Sequence, residues 1–164
     1  GMRLEGGYRG TFRELANALD FFNQNPSSGS FELSAPQTNA FEYKEWVNAG
    51  YAILSREAGK WQWQLGLRAE HTAVDGLARS AGGQGSVVQN YTNLFPSGLL
   101  SYTLKENHTL TLNYSRRINR PDLQALNPVI DFNDVFNLRS GNPRLLPELT
   151  HSAELTYSAQ TGKW

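Results

Sequence analysis

Arg116, Arg117 and Arg120 place three guanidinium groups within five positions, with Asp122 close behind. Such groups grip carboxylate or phosphate through parallel N–H bonds, so the cluster suits an anionic group on a ligand or a lipopolysaccharide. The competing use is structural, with Glu70, Asp122 or Asp131 neutralising the same arginines inside the fold. Arg68 and Glu70, two positions apart, share one side of an extended chain and suit a structural pairing with a neighbouring strand.

Other chemistry is thinner. His71, His108 and His151 lie far apart, each near the end of an extended stretch, whereas zinc needs three or four convergent ligands. Asp131, Asn133, Asp134 and Asn137 make an oxygen-rich stretch without the spacing of a calcium loop. No Gly-x-Ser-x-Gly, phosphate loop or dinucleotide fingerprint occurs, and nothing selects a carboxylate pair for glycoside chemistry. The expectation is a protein that is not an enzyme and carries no metal or cofactor. Trp61 and Trp63 suit stacking on a sugar, although an aromatic girdle at a membrane surface accounts for them with fewer assumptions.

Fifteen basic and fifteen acidic side chains cancel, which leaves no field to attract nucleic acid. The absence of cysteine excludes a disulfide framework and thiolate metal sites. No run of 18 apolar residues exists, so no transmembrane helix is expected; a membrane barrel has a far weaker signal per strand and stays open. At 164 residues the chain reads as one unit spanning 1–164. A glycine before the only methionine reads as the remnant of a cleaved tag, and the chain as a segment of something longer.

The elements that must position these groups are strands. Across residues 61–72, Trp61, Trp63, Leu65, Leu67, Ala69 and His71 fall on one face, and Gln62, Gln64, Gly66, Arg68, Glu70 and Thr72 on the other. This alternation is about twice the usual globular strand length and matches the roughly 9–11 residues of a tilted transmembrane strand. Residues 3–12 alternate similarly, with Leu4, Gly6, Tyr8 and Gly10 on one face. Residues 13–23 are ambiguous. Thr11-Phe12-Arg13-Glu14 has the form of a helix capping box, and Phe12, Leu15, Leu19 and Phe22 recur at helical spacing, against an irregular loop. Residues 23–39 are loop by composition.

Residues 41–55 form a second long strand with Phe41, Tyr43, Val47, Ala49, Tyr51 and Ile53 on one face, interrupted by Glu45. A short turn at 56–60 leads into the Trp61 strand as a hairpin. Residues 75–89, with Gly-Gly-Gln-Gly-Ser, read as a long flexible loop. A strand follows over 90–104, with a bulge or kink expected at Pro96 because proline lacks the ladder donor. After a tight turn at 105–107, residues 108–117 alternate, with Leu110, Leu112 and Tyr114 on one face. Residues 118–147 form a long structured loop. Residues 149–160 close the series with Ala153, Leu155, Tyr157 and Ala159 facing one way, and 161–164 begin another turn.

Long and short connections therefore alternate. In an antiparallel meander this collects every short turn at one edge and every long loop at the other. Polar-in, apolar-out strands with Tyr51, Trp61, Trp63, Tyr102 and Trp164 near the short turns complete the pattern of an outer-membrane barrel. A soluble β-sandwich or open-barrel binding module, of the carbohydrate-binding kind, is the alternative; its strands are usually half this length. An enzyme on a β scaffold ranks last.

Tyr114-Ser115-Arg116-Arg117-Ile118-Asn119-Arg120-Pro121, then Leu126-Asn127-Pro128, Gly141-Asn142-Pro143 and Leu146-Pro147-Glu148, resembles the barrel of TonB-dependent receptors of the Bacteroidetes outer-membrane type. Gly59-Lys60-Trp61 followed by Gly66-Leu67-Arg68-Ala69-Glu70 looks like the hairpin preceding it. The resemblance covers roughly residues 43–157. It implies a barrel of about twenty-two strands around a plug in the outer membrane of a Gram-negative bacterium, importing a scarce ligand with energy delivered through TonB.

The expected fold is all-β, an antiparallel up-and-down meander of about six long strands forming part of such a barrel. Plug and remaining strands are absent from this stretch, so it is not transport-competent alone. Expected partners are outer-membrane lipid, with plug and TonB in the parent protein, and no nucleic acid. Six strands also leave two unpaired edges and a wide apolar face, so self-association through the edges is expected.

Overall fold

The computed structural model describes residues 1–81, 83–130 and 136–160. In chain order the elements are β1 (Met2–Leu19), a small hairpin of β2 (Phe22–Gln24) and β3 (Phe31–Leu33), then β4 (Asn39–Ala58), β5 (Trp61–Ser80), β6 (Gly83–Lys105), β7 (His108–Asn119), α1 (Leu123–Leu126) and β8 (Glu148–Ala159). β1, β4, β5, β6, β7 and β8 make one antiparallel sheet in that order, an up-and-down meander whose edges, β1 and β8, do not pair with each other. The oxygen-rich stretch at Asp131, Asn133 and Asp134, and the final turn with Trp164, lie outside the described residues.

Register fixes what each face presents. Leu4, Leu54, Leu65, Gly98, Tyr114 and Ala153 stand in one row across all six strands. Met2, Arg56, Trp63, Leu100, Leu112 and Leu155 form the next row toward the short turns. This face is bare: Leu65 is 58% exposed, Leu67 50% and Leu112 47%. A sandwich would cover these side chains with a second layer. The only other sheet among the described residues is the two-stranded β2–β3 hairpin, so the sandwich expectation fails.

The opposite face is polar toward the short turns and apolar toward the long connections. There Phe41, Tyr43, Val74, Ala78, Val87 and Leu126 form the buried cluster, with Leu123 and Val129 packed on it. Leu123, Leu126 and Val129 of the long connection between β7 and β8 lie over this part of the sheet, so the face is covered where the other is bare.

Three sequence expectations change. Residues 13–23 form neither a helix nor an irregular loop over their first half, because β1 runs on to Leu19 and pairs residue by residue with β4. Glu14, read as a capping residue, is instead held by Lys44 Nζ at 3.0 Å, and Phe12 lies against Trp46 with ring centroids 5.2 Å apart. A lone stretch with a helical repeat becomes strand when a neighbour offers a full ladder of partners. Residues 75–80 and 83–89, expected in a flexible loop, are strand. β5 and β6 pair in unbroken register as far as Ser80 and Gly83, and Gly83 takes a positive φ of 125°. Pro96 causes no bulge against β5, where it pairs with Leu67. It sits where β6 stops pairing with β7, one residue beyond Ser97–Ser115, and the register shift falls instead between Thr103 and Lys105.

A fourth correction concerns β4. Tyr51 pairs with Arg68 and Ile53 with Gly66, so the Phe41–Ile53 set lies on the covered face, opposite the Trp61 set. Tyr51 therefore does not belong to the outward aromatic group with Trp61 and Tyr102, whose rings lie 4.4 Å apart. Arginine at Leu112, on the bare face, is expected to cost about 2–4 kcal/mol in detergent refolding, whereas Thr111→Arg, on the polar face, should be nearly neutral. Equal refolding midpoints for the two variants would remove the facing assignment.

Candidate functional site

The charges that the fold brings together lie on the covered face, beneath the β7–β8 connection. Register sets Arg13 of β1 beside Glu45 of β4, and Ala49, four residues along β4, beside Glu70 of β5. Glu45, Glu70 and Thr72 are buried, with Thr72 fully so. Two unpaired carboxylates in such a place would be costly. Arg68 answers Glu70 with Nη2–Oε2 at 2.5 Å and Nε–Oε2 at 3.1 Å. Arg13 Nη1 lies 3.7 Å from Glu45 Oε2.

Arg120 completes the network from above. Its Nη2 donates to Glu70 Oε1 and to Thr72 Oγ1, the latter at 3.1 Å, and its Nε lies 3.8 Å from Glu45 Oε1. One side chain in the connection thus bridges both buried acids, one on β4 and one on β5. Burial pushes the Arg120 guanidinium below its ordinary pKa, with Glu45 opposing that shift and Arg68 adding to it. A guanidinium titrates so high that it remains charged at neutral pH. The arrangement can hold a segment in place.

Local sequence explains how the connection reaches its position. Just past Arg120, Asp122 caps α1 by accepting from Ala125 N at 2.6 Å, which turns Leu126 down into the buried cluster. Pro128 packs where Gly85 leaves room, since a Cβ at that glycine would come within 2.8 Å of the ring. Gly141 fits the end of α1 so closely that a Cβ would lie 2.5 Å from the carbonyl oxygens of Gln124 and Ala125. Gly141 N donates to Asn127 O at 2.7 Å and Asn142 N to Ala125 O at 2.6 Å, stitching the Asn-Pro and Gly-Asn-Pro segments together. Gln89 Nε2 fastens the far end to β6 through Leu145 O at 2.8 Å.

The three arginines singled out from sequence go different ways. Arg120 joins the buried network with Glu70, while Asp122 serves α1. Arg117 is on the covered side of β7 and lines a groove of about 340 Å³ with Gln64, Ser97, Asn113, Ser115, Ser152 and Glu154. Arg116 lies on the bare face, opposite His151. The histidines are also separate: His71 contacts Thr92 Oγ1, His108 the Tyr157 hydroxyl and His151 the Tyr114 hydroxyl. Sequence reading missed Glu45 and Arg13 as partners. The available signal was an acid interrupting an otherwise apolar face of β4.

A family model described as Outer membrane protein beta-barrel family matches residues 1–164, the full length of the chain. No curated protein and no solved structure matches it.

Arg120→Met leaves Glu70 buried with half its counter-charge gone, and should lower unfolding stability by about 3 kcal/mol. Adding Glu70→Gln should recover part of that loss, because the two side chains act as a coupled pair. Urea unfolding in detergent micelles, followed by tryptophan fluorescence, measures both; strictly additive effects would show that the contact carries no coupling. Gly141→Ala should cost about 1–3 kcal/mol in the same titration, since its methyl forces the Gln124 and Ala125 backbone to move.

Proposed function

Because the chain belongs to the outer membrane protein beta-barrel family, we propose that it forms part of the wall of a TonB-dependent receptor that takes up a scarce ligand. It is an outer-membrane β-barrel protein. On this reading the bare apolar face meets lipid and the polar face, with Arg68, Glu70 and Arg117, meets the barrel interior. Further strands close the barrel beyond β1 and β8, and a plug occupies the interior. In isolation, the same two edges pair with another copy of the chain. Its role is architectural and transport-related, and no catalytic step is assigned to it.

The observation that carries the proposal is the fate of the signature residues. Arg120, Asn127-Pro128 and Gly141-Asn142 make the contacts that fold the β7–β8 connection over the inward face. The resemblance to TonB-dependent receptors rests on those same residues, so its most specific part coincides with a built structural feature. A connection held inward by buried ion pairs narrows the interior at the long-loop end, as suits a receptor that admits ligand selectively.

Uptake in cells discriminates this from a passive pore. Replacing residues 120–147 with a short Gly-Ser linker in the chromosomal gene should abolish accumulation of the limiting nutrient, tested with ferric siderophore, cobalamin and oligosaccharide. Accumulation by the parent strain should collapse on adding a protonophore. Uptake that rises linearly with solute concentration and ignores the protonophore would replace the receptor reading with a porin.

A further inference from the structure

Arg116 is a cation on the bare face with no acid paired to it among the described residues. Register places it two positions past Tyr114 on β7, directly across from His151 on β8, and Ile118–Leu149 forms the following pair on that face. Its Nη1 donates to Leu94 O at 3.2 Å, which serves a carbonyl at the fork where β6 and β7 part beyond Ser97–Ser115. Its Nε is buried and has no hydrogen-bond partner. Among the described residues, none of the ion pairs includes Arg116.

His151 is prepared beside it. Its Nδ1 meets the Tyr114 hydroxyl at 2.8 Å, and the two rings lie 6.2 Å apart. That contact fixes the imidazole and leaves Nε2, on the far side of the ring, for a second partner. With the Tyr114 hydroxyl donating to Nδ1, two donors to an anion share one patch of an otherwise apolar surface: the Arg116 guanidinium and the His151 Nε2–H.

Height on the sheet selects the anion. Arg116 lies eight residues (116 − 108) past the start of β7 at His108. At about 3.4 Å per residue and a tilt of about 40°, that is about 20 Å from the short-turn edge, near the far side of an apolar band about 25 Å tall. A long cationic side chain at that depth reaches toward the headgroups, and no acid among the described residues supplies its counter-charge. The far side is the one with the long connections, which in barrels of this kind faces the exterior.

We infer that Arg116 and His151, with Tyr114 orienting the imidazole, bind the phosphate of an outer-leaflet lipid headgroup. The inference depends on the bare face meeting lipid and is independent of whether the receptor imports a ligand.

Native mass spectrometry of the chain in detergent micelles tests it with three probes: bisphosphorylated lipid A, its dephosphorylated form and inorganic phosphate. The bisphosphorylated lipid should stay bound to the parent chain. Arg116→Gln should weaken retention about tenfold, the equivalent of one charge-assisted contact, and His151→Gln several-fold. Arg117→Gln, on the opposite face, should leave it unchanged. Using two independent variants keeps the test decisive if one folds poorly. The assignment is overturned if both variants retain the lipid as the parent does, or if the dephosphorylated lipid binds equally well. Inorganic phosphate binding as tightly as the lipid would also overturn it, in favour of a site for free anions.

Discussion

Lateral pairing of backbone hydrogen bonds governs this molecule. Strands of 18 to 23 residues in β1, β4, β5 and β6 can satisfy their N–H and C=O groups only against a neighbour, and each neighbour's register then dictates which side chains share a face. Once Leu54 is set beside Leu65, the odd residues of β4 must lie with the even residues of β5. The bare apolar belt, the polar interior and the buried acids all follow from that one alignment. A slip of a single residue would bring Glu70 to the bare face and Leu65 to the covered one.

The same pairing creates the need for Arg120. Register buries Glu45 and Glu70 under the connection, among Phe41, Tyr43 and Val74, where an uncompensated carboxylate would be unstable. Arg13 and Arg68 come from strands and supply part of the counter-charge. The remainder arrives from a residue just past the end of β7, and it anchors the connection as it does so. The hydrophobic contacts of Leu126 and the tight seat of Gly141 then fix the rest of the segment. Electrostatic need and loop position are thus one feature: the acids hold the loop, and the loop shields the acids.

Much of the architecture was legible in the residues. Period-two alternation over 61–72 and 108–117 marked strands and their two faces, because that period is a property of the extended chain itself. The split between short turns and long connections held for four of the five links between neighbouring strands of the main sheet and failed for β5–β6, where the strands run on to Ser80 and Gly83. The strand extent was less legible. Residues 13–19 carry a helical repeat and residues 75–80 and 83–89 a glycine-rich composition, and both became strand because a partner strand supplied the ladder that no local signal encodes. The face of β4 was misread for a related reason. Tyr51 and Trp61 look alike as aromatic members of apolar sets, and only the offset through the Gly59–Lys60 turn decides that they point to opposite sides.

The sequence by itself determined that the chain is a meander of long, two-faced strands with one greasy side, and that it carries a cluster of arginines near a long connection. These are local properties, set by the chemistry of each residue and its immediate spacing. The tertiary structure alone decided where those arginines go: Arg116 to the bare face, Arg117 to the groove, Arg120 to the buried acids. Adjacent strand residues point in opposite directions, which separates Arg116 from Arg117, and Arg120 lies past the end of β7, where the connection and not the strand aims it. Which partners each of them meets depends on strands and a connection that lie tens of residues away.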